Sequence, residues 1–399
     1  MNNARQPVVV HPNILLEKIA FGISKSDGIQ IALNLQGPEI DLFENIIQSH
    51  VALINELSKN DPDYNLILDI QCQKLSDLLT IININNKQKE FAPCIRILVS
   101  DIRKISFIVD ARDNLAKNTL DFAVTERLIE YLMTIIRLPV FGANFTTPGS
   151  LAMANQMFQA YYTMNKYNLA MSLIKSFEQN PNYNLAIPED LVHYKFLVGR
   201  FYLLVQDYKN AYINLKFAFN SCPIAVPKNK RLILLYLIPT CLKLGVVPSE
   251  KVHKFIEASH PIFKIVQSVK DGDMELFKST IKSAKNEFVR FKLYFVICEL
   301  KKMVLRTLYH RTFLRVKDKY QRFQIPISVF QMVRAFVSKS RHADFDKVCC
   351  ELSILIFEGY IKGYISLAHK KIVFFIDNPF PTVKTVSFNK YEIDADNDQ

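Results

Sequence analysis

Residues 344–376, DFDKVCCELSILIFEGYIKGYISLAHKKIVFFI, decide the fold. Asp344 places a short acceptor side chain just before an apolar-periodic run, the mark of a helix N-cap. Phe345, Val348, Cys349, Leu352, Leu355 and Ile356 then recur at helical spacing and form one apolar stripe. Gly359 can adopt the left-handed conformation at which such a helix stops. Tyr360–Ser366 and Lys371–Ile376 follow, rich in β-branched and aromatic residues and separated by a polar turn at His369-Lys370, so they read as a hairpin.

Working upstream, Ser328 precedes an apolar run with Gln331 three residues later, a capping-box start for a helix over Val329–Val337. Lys339–Ala343 is the turn between the two helices. Helix, helix, hairpin is the order of a winged helix. Pro379 and Pro381 close it, and the segment from Asn389 carries Glu392, Asp394, Asp396 and Asp398 without an apolar run, which predicts disorder.

Further upstream the chain repeats itself. Tyr161, Tyr167, Ala170, Ile174 and Lys175 return 41 residues later as Tyr202, Tyr208, Ala211, Leu215 and Lys216, and the second copy adds Gly199, Ala218 and Pro223. That pattern fits a tetratricopeptide-like helical pair, in which a small residue on the second helix lets the first approach and a Tyr fills the groove. Each hairpin leaves a face uncovered, so hairpins must stack. Arg231–Leu244 with Ser249–Ala258 reads as a third, irregular pair, and Asp273–Ala284 followed by Glu287–Arg306 continues the series. Residues 14–135 read as helices broken at Asn60–Asp63 and from Asn85 to Lys89. In Thr119–Ile136 the residues Leu120, Val124, Leu128, Leu132 and Ile135 recur at helical spacing until Pro139. Residues 141–150 read as a loop. The fold class is therefore mainly α: a helical-repeat solenoid ending in a winged helix.

Composition agrees. Only 10 of 399 residues are glycine, which argues against a β-rich fold and against phosphate-cradling loops. The seven cysteines are scattered, with no C-x-x-C spacing, and imply a reducing compartment with neither disulfides nor zinc. Met1–Asn13 holds no long apolar run, so no secretory signal is expected, and the longest apolar run, Leu232–Leu242, is short of the ~20 residues that span a membrane. The phosphate-loop, dinucleotide, zincin and nucleophile-elbow motifs are all missing, and the eight histidines are dispersed. Asp110 and Asp113 beside Arg112 read as a solvated turn. No catalytic residue, cofactor or metal is assigned, and the chain is expected not to be an enzyme.

Charge is more informative. The net charge is +12, and between Lys282 and Arg322 twelve cations face only Glu287, Glu299 and Asp318, with Tyr309, His310, Phe313, Tyr320 and Phe323 interleaved. Cations could neutralise phosphates and aromatics could stack on unpaired bases; alternatively the aromatics are core and the cations a solvated face. The candidate nucleic-acid residues are Lys301, Lys302, Arg311, Arg315, Lys317, Lys319 and Arg322, with Lys362, Lys370 and Lys371 around the hairpin turn. Charge reversal at Arg311, Arg315 and Lys319 is expected to weaken such binding without unfolding the chain. The second helix of the winged module carries Asp344, Asp346, Glu351 and Glu358 on the side read as exposed, against Lys347, which argues against entry into a DNA major groove. Lys228, Lys230 and Arg231 precede a nearly all-apolar helix and are candidates for holding an acidic, aromatic-bearing peptide that folds on binding.

Two stretches carry a family resemblance: Lys228-Asn229-Lys230-Arg231 with Leu232–Ile238, Pro239 and Leu244-Gly245, and Gly359–Ser366 closed by Asn378-Pro379-Phe380-Pro381. They resemble the PCI-domain (proteasome–signalosome–initiation-factor) proteins, in the branch of the TREX-2 mRNA-export subunit and its signalosome-associated relative. The resemblance covers roughly residues 150–385. It implies a nuclear scaffold, nuclear pores included, with some of the protein cytoplasmic. It further implies pairing with a larger PCI subunit, clamping by a small acidic Sem/DSS-type protein, and sequence-independent contact with RNA or DNA. A purely protein-binding subunit of a signalosome- or proteasome-lid-like assembly is the alternative. The expected division is a helical region over 1–140, helical repeats over 141–285, the winged-helix part over 286–385 and an acidic tail over 386–399.

Overall fold

Helical spacing of apolar residues runs through nearly every described segment, and the chain is mainly α, as expected. The computed structural model describes residues 38–85, 88–137, 149–179, 187–249, 252, 255–257, 259–320, 323–338, 343–383 and 386. The expectations at Pro139, at residues 141–148, at Arg322 and beyond residue 386 lie outside these. The chain divides into two units, residues 1–197 and 198–399.

The first unit contains α1 (Pro38–Leu57), α2 (Tyr64–Asn85), α3 (Gln88–Lys117) and α4 (Ala123–Ile136), which meet around Leu53, Ile67, Ile105, Val109 and Val124. The Asn60–Asp63 break lies between α1 and α2, where the Asp63 carboxylate accepts from the backbone N–H groups of Asn65 and Leu66. α4 begins at Ala123, later than expected: Leu120 is 87% exposed, in a turn that Asn114 holds through Thr119 and Asp121. Its cap comes from another helix. Asp110 on α3 accepts from the backbone N–H of Val124 (2.9 Å) and Thr125 (3.0 Å) and from the Thr125 hydroxyl (2.6 Å). The reading of a solvated turn is thereby corrected for Asp110, which is buried and satisfies donors that a helix start otherwise leaves open.

The 41-residue repeat falls on equivalent places in two hairpins, α5 (Ser150–Met164) with α6 (Tyr167–Glu178) and α7 (Pro188–Leu204) with α8 (Tyr208–Ser221). Tyr161 and Tyr202 lie in the last turn of the first helix, and Tyr167 and Tyr208 open the second. Ala170, Ala211, Ile174 and Leu215 are buried, while Lys175 and Lys216 are exposed. The two helices of the second hairpin approach closely at Gly199 on the first, where a Cβ would lie 2.6 Å from Leu215 Cγ.

In the second unit α9 (Pro227–Lys243) packs on α8. The helix expected over Ser249–Ala258 is not found: the described residues between Leu244 and Pro261 form no α-helix. α10 (Pro261–Asp271) follows, with His260 Nδ1 accepting from the Ile262 N–H, then α11 (Met274–Ser283), the short α12 (Lys285–Arg290) and α13 (Tyr294–Glu299), and α14 (Lys301–Val316). The single helix expected over Glu287–Arg306 is broken at Phe291–Leu293, where Lys292 has φ 56°, and again at Leu300.

β1 (Gln324–Pro326), α15 (Ile327–Val337), α16 (Phe345–Phe357), β2 (Gly363–Ser366) and β3 (Lys371–Phe374) complete the winged helix. The sheet order is β1-β3-β2, antiparallel throughout, with Ile325 and Ile365 both opposite Ile372. α14 lies under this module: Phe313 is 4.8 Å from Phe374, and Tyr309 is 5.5 Å from Phe330. Asp344 caps α16 by accepting from the Asp346 N–H, and Gly359 ends it at φ 78°, as expected. The capping box is not formed. α15 starts at Ile327 directly after Pro326, and Gln331 donates its side-chain N–H to the Ala343 carbonyl.

Candidate docking and nucleic-acid surfaces

α14 carries four of the candidate cations, Lys301, Lys302, Arg311 and Arg315, and its packing decides which of them face outward. Lys302 ion-pairs with Glu299 (2.9 Å) and Glu358 (2.6 Å), and Lys243 of α9 also reaches Glu299 (3.4 Å), so these charges tie α9, α13 and α14 to the end of α16. Arg306 donates to the Pro381 carbonyl (2.6 Å). Arg311 donates to the carbonyls of Lys270 (2.9 Å) and Asp271 (3.0 Å), the last acceptors of α10, beside Gly272 (φ 73°). Arg311 thus satisfies carbonyls at the C-terminal end of α10, so its side chain has a structural role besides any contact with a ligand.

Lys301, Arg315 and Lys319 are exposed, with Lys317 half-buried in a single 3₁₀ turn. Lys301 and Arg315 lie at opposite ends of α14, ~21 Å apart along its axis. The sheet register places Lys362 at the Gln324 end of β1, which the Lys317–Lys319 turn precedes, and Lys370 and Lys371 at the Pro326 end. Strand β1 is only ~10 Å long, so these two groups are neighbours.

Of the other candidates, Lys228 and Arg231 are exposed at the start of α9. Lys230 turns inward. It is 5% exposed, donates to the Phe219 carbonyl (2.9 Å) and lies over the Phe219 ring at 4.4 Å.

The acidic side of α16 also needs correction. Glu351 is buried, accepting from Arg334 Nε (3.1 Å), Arg334 Nη2 (3.2 Å) and the Tyr309 hydroxyl (2.6 Å). Burial raises the Tyr309 phenol far above its usual range, with the Glu351 charge adding to it.

Sequence reasoning missed the outward face of α16. Its core stripe is as expected, with Val348, Leu352 and Leu355 fully buried. Opposite that stripe, Cys350, Ile354 and Phe357 point to solvent, and Phe357 is 92% exposed. On α15, Met332 and Phe336 are also exposed, Phe336 to 84%. The signal was available: these are the apolar residues left over once the core stripe is assigned. Among the described residues no group of metal-ligating side chains comes together, and no helix is long and apolar enough to cross a membrane.

No family model matches the chain, but individual proteins do. It is 30% identical over 239 residues to PCI domain-containing protein 2 of Danio rerio, a match covering 60% of this chain and 58% of that protein. It is 25% identical over 347 residues to the PCI domain-containing protein 2 homolog of Drosophila melanogaster, covering 86% and 85%. Against Protein CSN12 homolog of Schizosaccharomyces pombe it is 25% identical over 239 residues, covering 58% and 55%. The matches to the fish and yeast proteins thus span less than two thirds of their length.

Proposed function

From its similarity to the PCI domain-containing protein 2 proteins and to Protein CSN12 homolog, we propose that the chain is a PCI scaffold subunit of that family and serves a TREX-2-like nuclear complex coupling transcription to mRNA export. In that complex it pairs, winged helix to winged helix, with a larger PCI subunit and is clamped by a small acidic Sem/DSS-type protein. It catalyses no reaction. It works in the nucleus, nuclear pores included, with some of the protein cytoplasmic. Arg315, Lys317, Lys319, Lys362, Lys370 and Lys371 add a sequence-independent contact to RNA or DNA, weak alone and strengthened when a partner contributes a second patch.

The outward face of α16 carries this reading. A helix that reads a DNA groove presents polar and basic side chains. This one presents Cys350, Ile354 and Phe357, which suits burial against protein. A pull-down from nuclear extract with mass spectrometry tests it. The wild-type chain should retrieve a larger PCI-domain protein, and Phe357→Glu, altering a side chain outside the core, should lose it while melting normally. Retrieval of the same partners by both would refute the docking face.

A second reading, a purely protein-binding subunit of a signalosome- or proteasome-lid-like assembly, draws support from the internal engagement of Lys230, Lys302 and Arg311. It predicts no shift of labelled RNA even at low ionic strength.

A further inference from the structure

Away from the winged-helix face, α11, α12, α13 and α14 enclose an open groove of about 390 Å³. Met274, Phe277 and Ile281 make its apolar floor. Lys278, Lys282, Lys285 and Lys301 rim it, all four exposed, and none of the lining residues is acidic. An apolar floor inside a ring of ammonium groups suits a ligand that is apolar along one side and anionic along the other.

The chain itself contains such a segment. In Tyr391-Glu392-Ile393-Asp394-Ala395-Asp396 apolar and acidic residues alternate. In an extended conformation successive side chains point to opposite sides, so Tyr391, Ile393 and Ala395 would share one edge and the three carboxylates the other. Across residues 387–399 there is one cation, Lys390, against Glu392, Asp394, Asp396 and Asp398.

The described residues before this segment lie against α14, which also lines the groove. After the wing, the Phe380 ring lies 5.4 Å from Phe313 and 4.7 Å from His310 on α14. Arg306, a turn nearer the helix start, holds the Pro381 carbonyl. Val386 lies beside Gly359, whose neighbour Glu358 bonds Lys302. Val386 thus lies near the Glu358–Lys302 pair, one position along α14 from Lys301 of the groove rim. Tyr391 and Ile393 follow Val386 by five and seven residues, which extended chain can span over at most about 18 Å and about 25 Å.

We propose that residues 387–399 dock in the groove of α11–α14, Tyr391 and Ile393 on the Phe277 floor and Glu392 and Asp394 on the lysine rim, and so shield it from other acidic chains. A tethered segment meets its site at an effective concentration on the order of mM, so weak intrinsic affinity suffices. This goes beyond the scaffold reading and stands or falls without it.

The test uses the full chain and a fluorescein-labelled synthetic peptide of residues 387–399, followed by anisotropy at low ionic strength. Wild-type protein should bind the peptide poorly, because its own segment occupies the groove. The full-length variant Glu392→Lys/Asp394→Lys should bind it at least about ten-fold tighter. Adding Lys278→Glu/Lys282→Glu should abolish that gain, and raising the salt should weaken binding by about ten-fold even if that variant folds poorly. Equal binding to wild type and to the Glu392→Lys/Asp394→Lys variant, or salt-independent binding, would overturn the proposal. So would equal binding of a scrambled peptide of the same composition, which would make the groove a general acceptor of acidic partners.

Discussion

The Arg334 guanidinium lies against the Glu351 carboxylate inside the winged helix, Nε 3.1 Å from Oε2 and Nη2 3.2 Å from Oε1, with the Tyr309 hydroxyl completing the set. These three side chains join α14, α15 and α16. Removing one partner strands a buried charge, so Glu351→Ala should cost about 3–5 kcal/mol in urea unfolding. Replacing all three (Tyr309→Phe, Arg334→Met, Glu351→Leu) should recover most of that loss, because no unpaired polar group remains. A single-variant loss under about 1 kcal/mol would mean that water reaches the site.

The same carboxylate sets an acid limit. Burial alone would raise its pKa, but the hydrogen bonds from Arg334 and Tyr309, with the charges of Arg334 and Lys301, outweigh burial and hold it below the ordinary 4.5. A carboxylate held low takes up protons less readily folded than unfolded. Its stabilisation is complete above pH 4.5 and drains away as the pH falls through the folded value. Wild type should therefore lose stability more steeply below that pH than the triple variant, and parallel acid-unfolding curves would contradict the assignment.

Lys74 on α2 runs the opposite way. It is buried with its Nζ 3.2 Å from His50 Nδ1, and burial, partly offset by the Asp101 charge, pushes its pKa down from 10.5 to about 8. Below that value folding buries a charge, and between 8 and 10.5 the unfolded chain holds the proton more tightly, so the penalty fades as pH rises. A shift of this size corresponds to about 3 kcal/mol. Lys74→Met should gain about 1–3 kcal/mol at pH 7, and the gap to wild type should close toward pH 10.5. A gap independent of pH would show that packing, not charge burial, is being measured.

How much of this was legible depends on how local each signal is. The stripe, the Asp344 cap and the Gly359 stop of α16 are encoded within one helix length and read correctly. β1 was invisible because three residues ending in Pro326 carry no period. The cap of α4 was misplaced because its carboxylate, Asp110, sits on the preceding helix. Composition marked the basic stretch, but which cations face outward depends on tertiary contacts: Arg311, Lys302 and Lys230 are engaged by groups 40, 56 and 11 residues away.

Gly199 tests the helical pair. Its missing Cβ would lie 2.6 Å from Leu215 Cγ and 3.1 Å from Leu215 N. Gly199→Ala should cost about 1–3 kcal/mol despite the better helix propensity of alanine. Leu215→Ala in the Gly199→Ala background should cost less than Leu215→Ala alone, a coupling measurable in a double-mutant cycle. Simple additivity would mean that α7 and α8 are not held at this contact.

The last prediction separates binding from folding in the basic stretch. Arg311 neutralises the carbonyl end of α10 through two charge-assisted hydrogen bonds, and the backbone of Leu308 is pressed against Gly272, 2.7 Å from where a Cβ would be. Reversal at Arg311 should therefore lower stability by about 1–2 kcal/mol, whatever the chain binds. Arg315 and Lys319 are exposed, and reversing both should leave stability within about 0.5 kcal/mol. If the two contact phosphates, their reversal should weaken single-stranded RNA binding at low salt and flatten the dependence of log affinity on log salt by ~0.7 per contact. An unchanged slope after reversing both would remove them from the nucleic-acid surface and leave the chain a protein-binding scaffold alone.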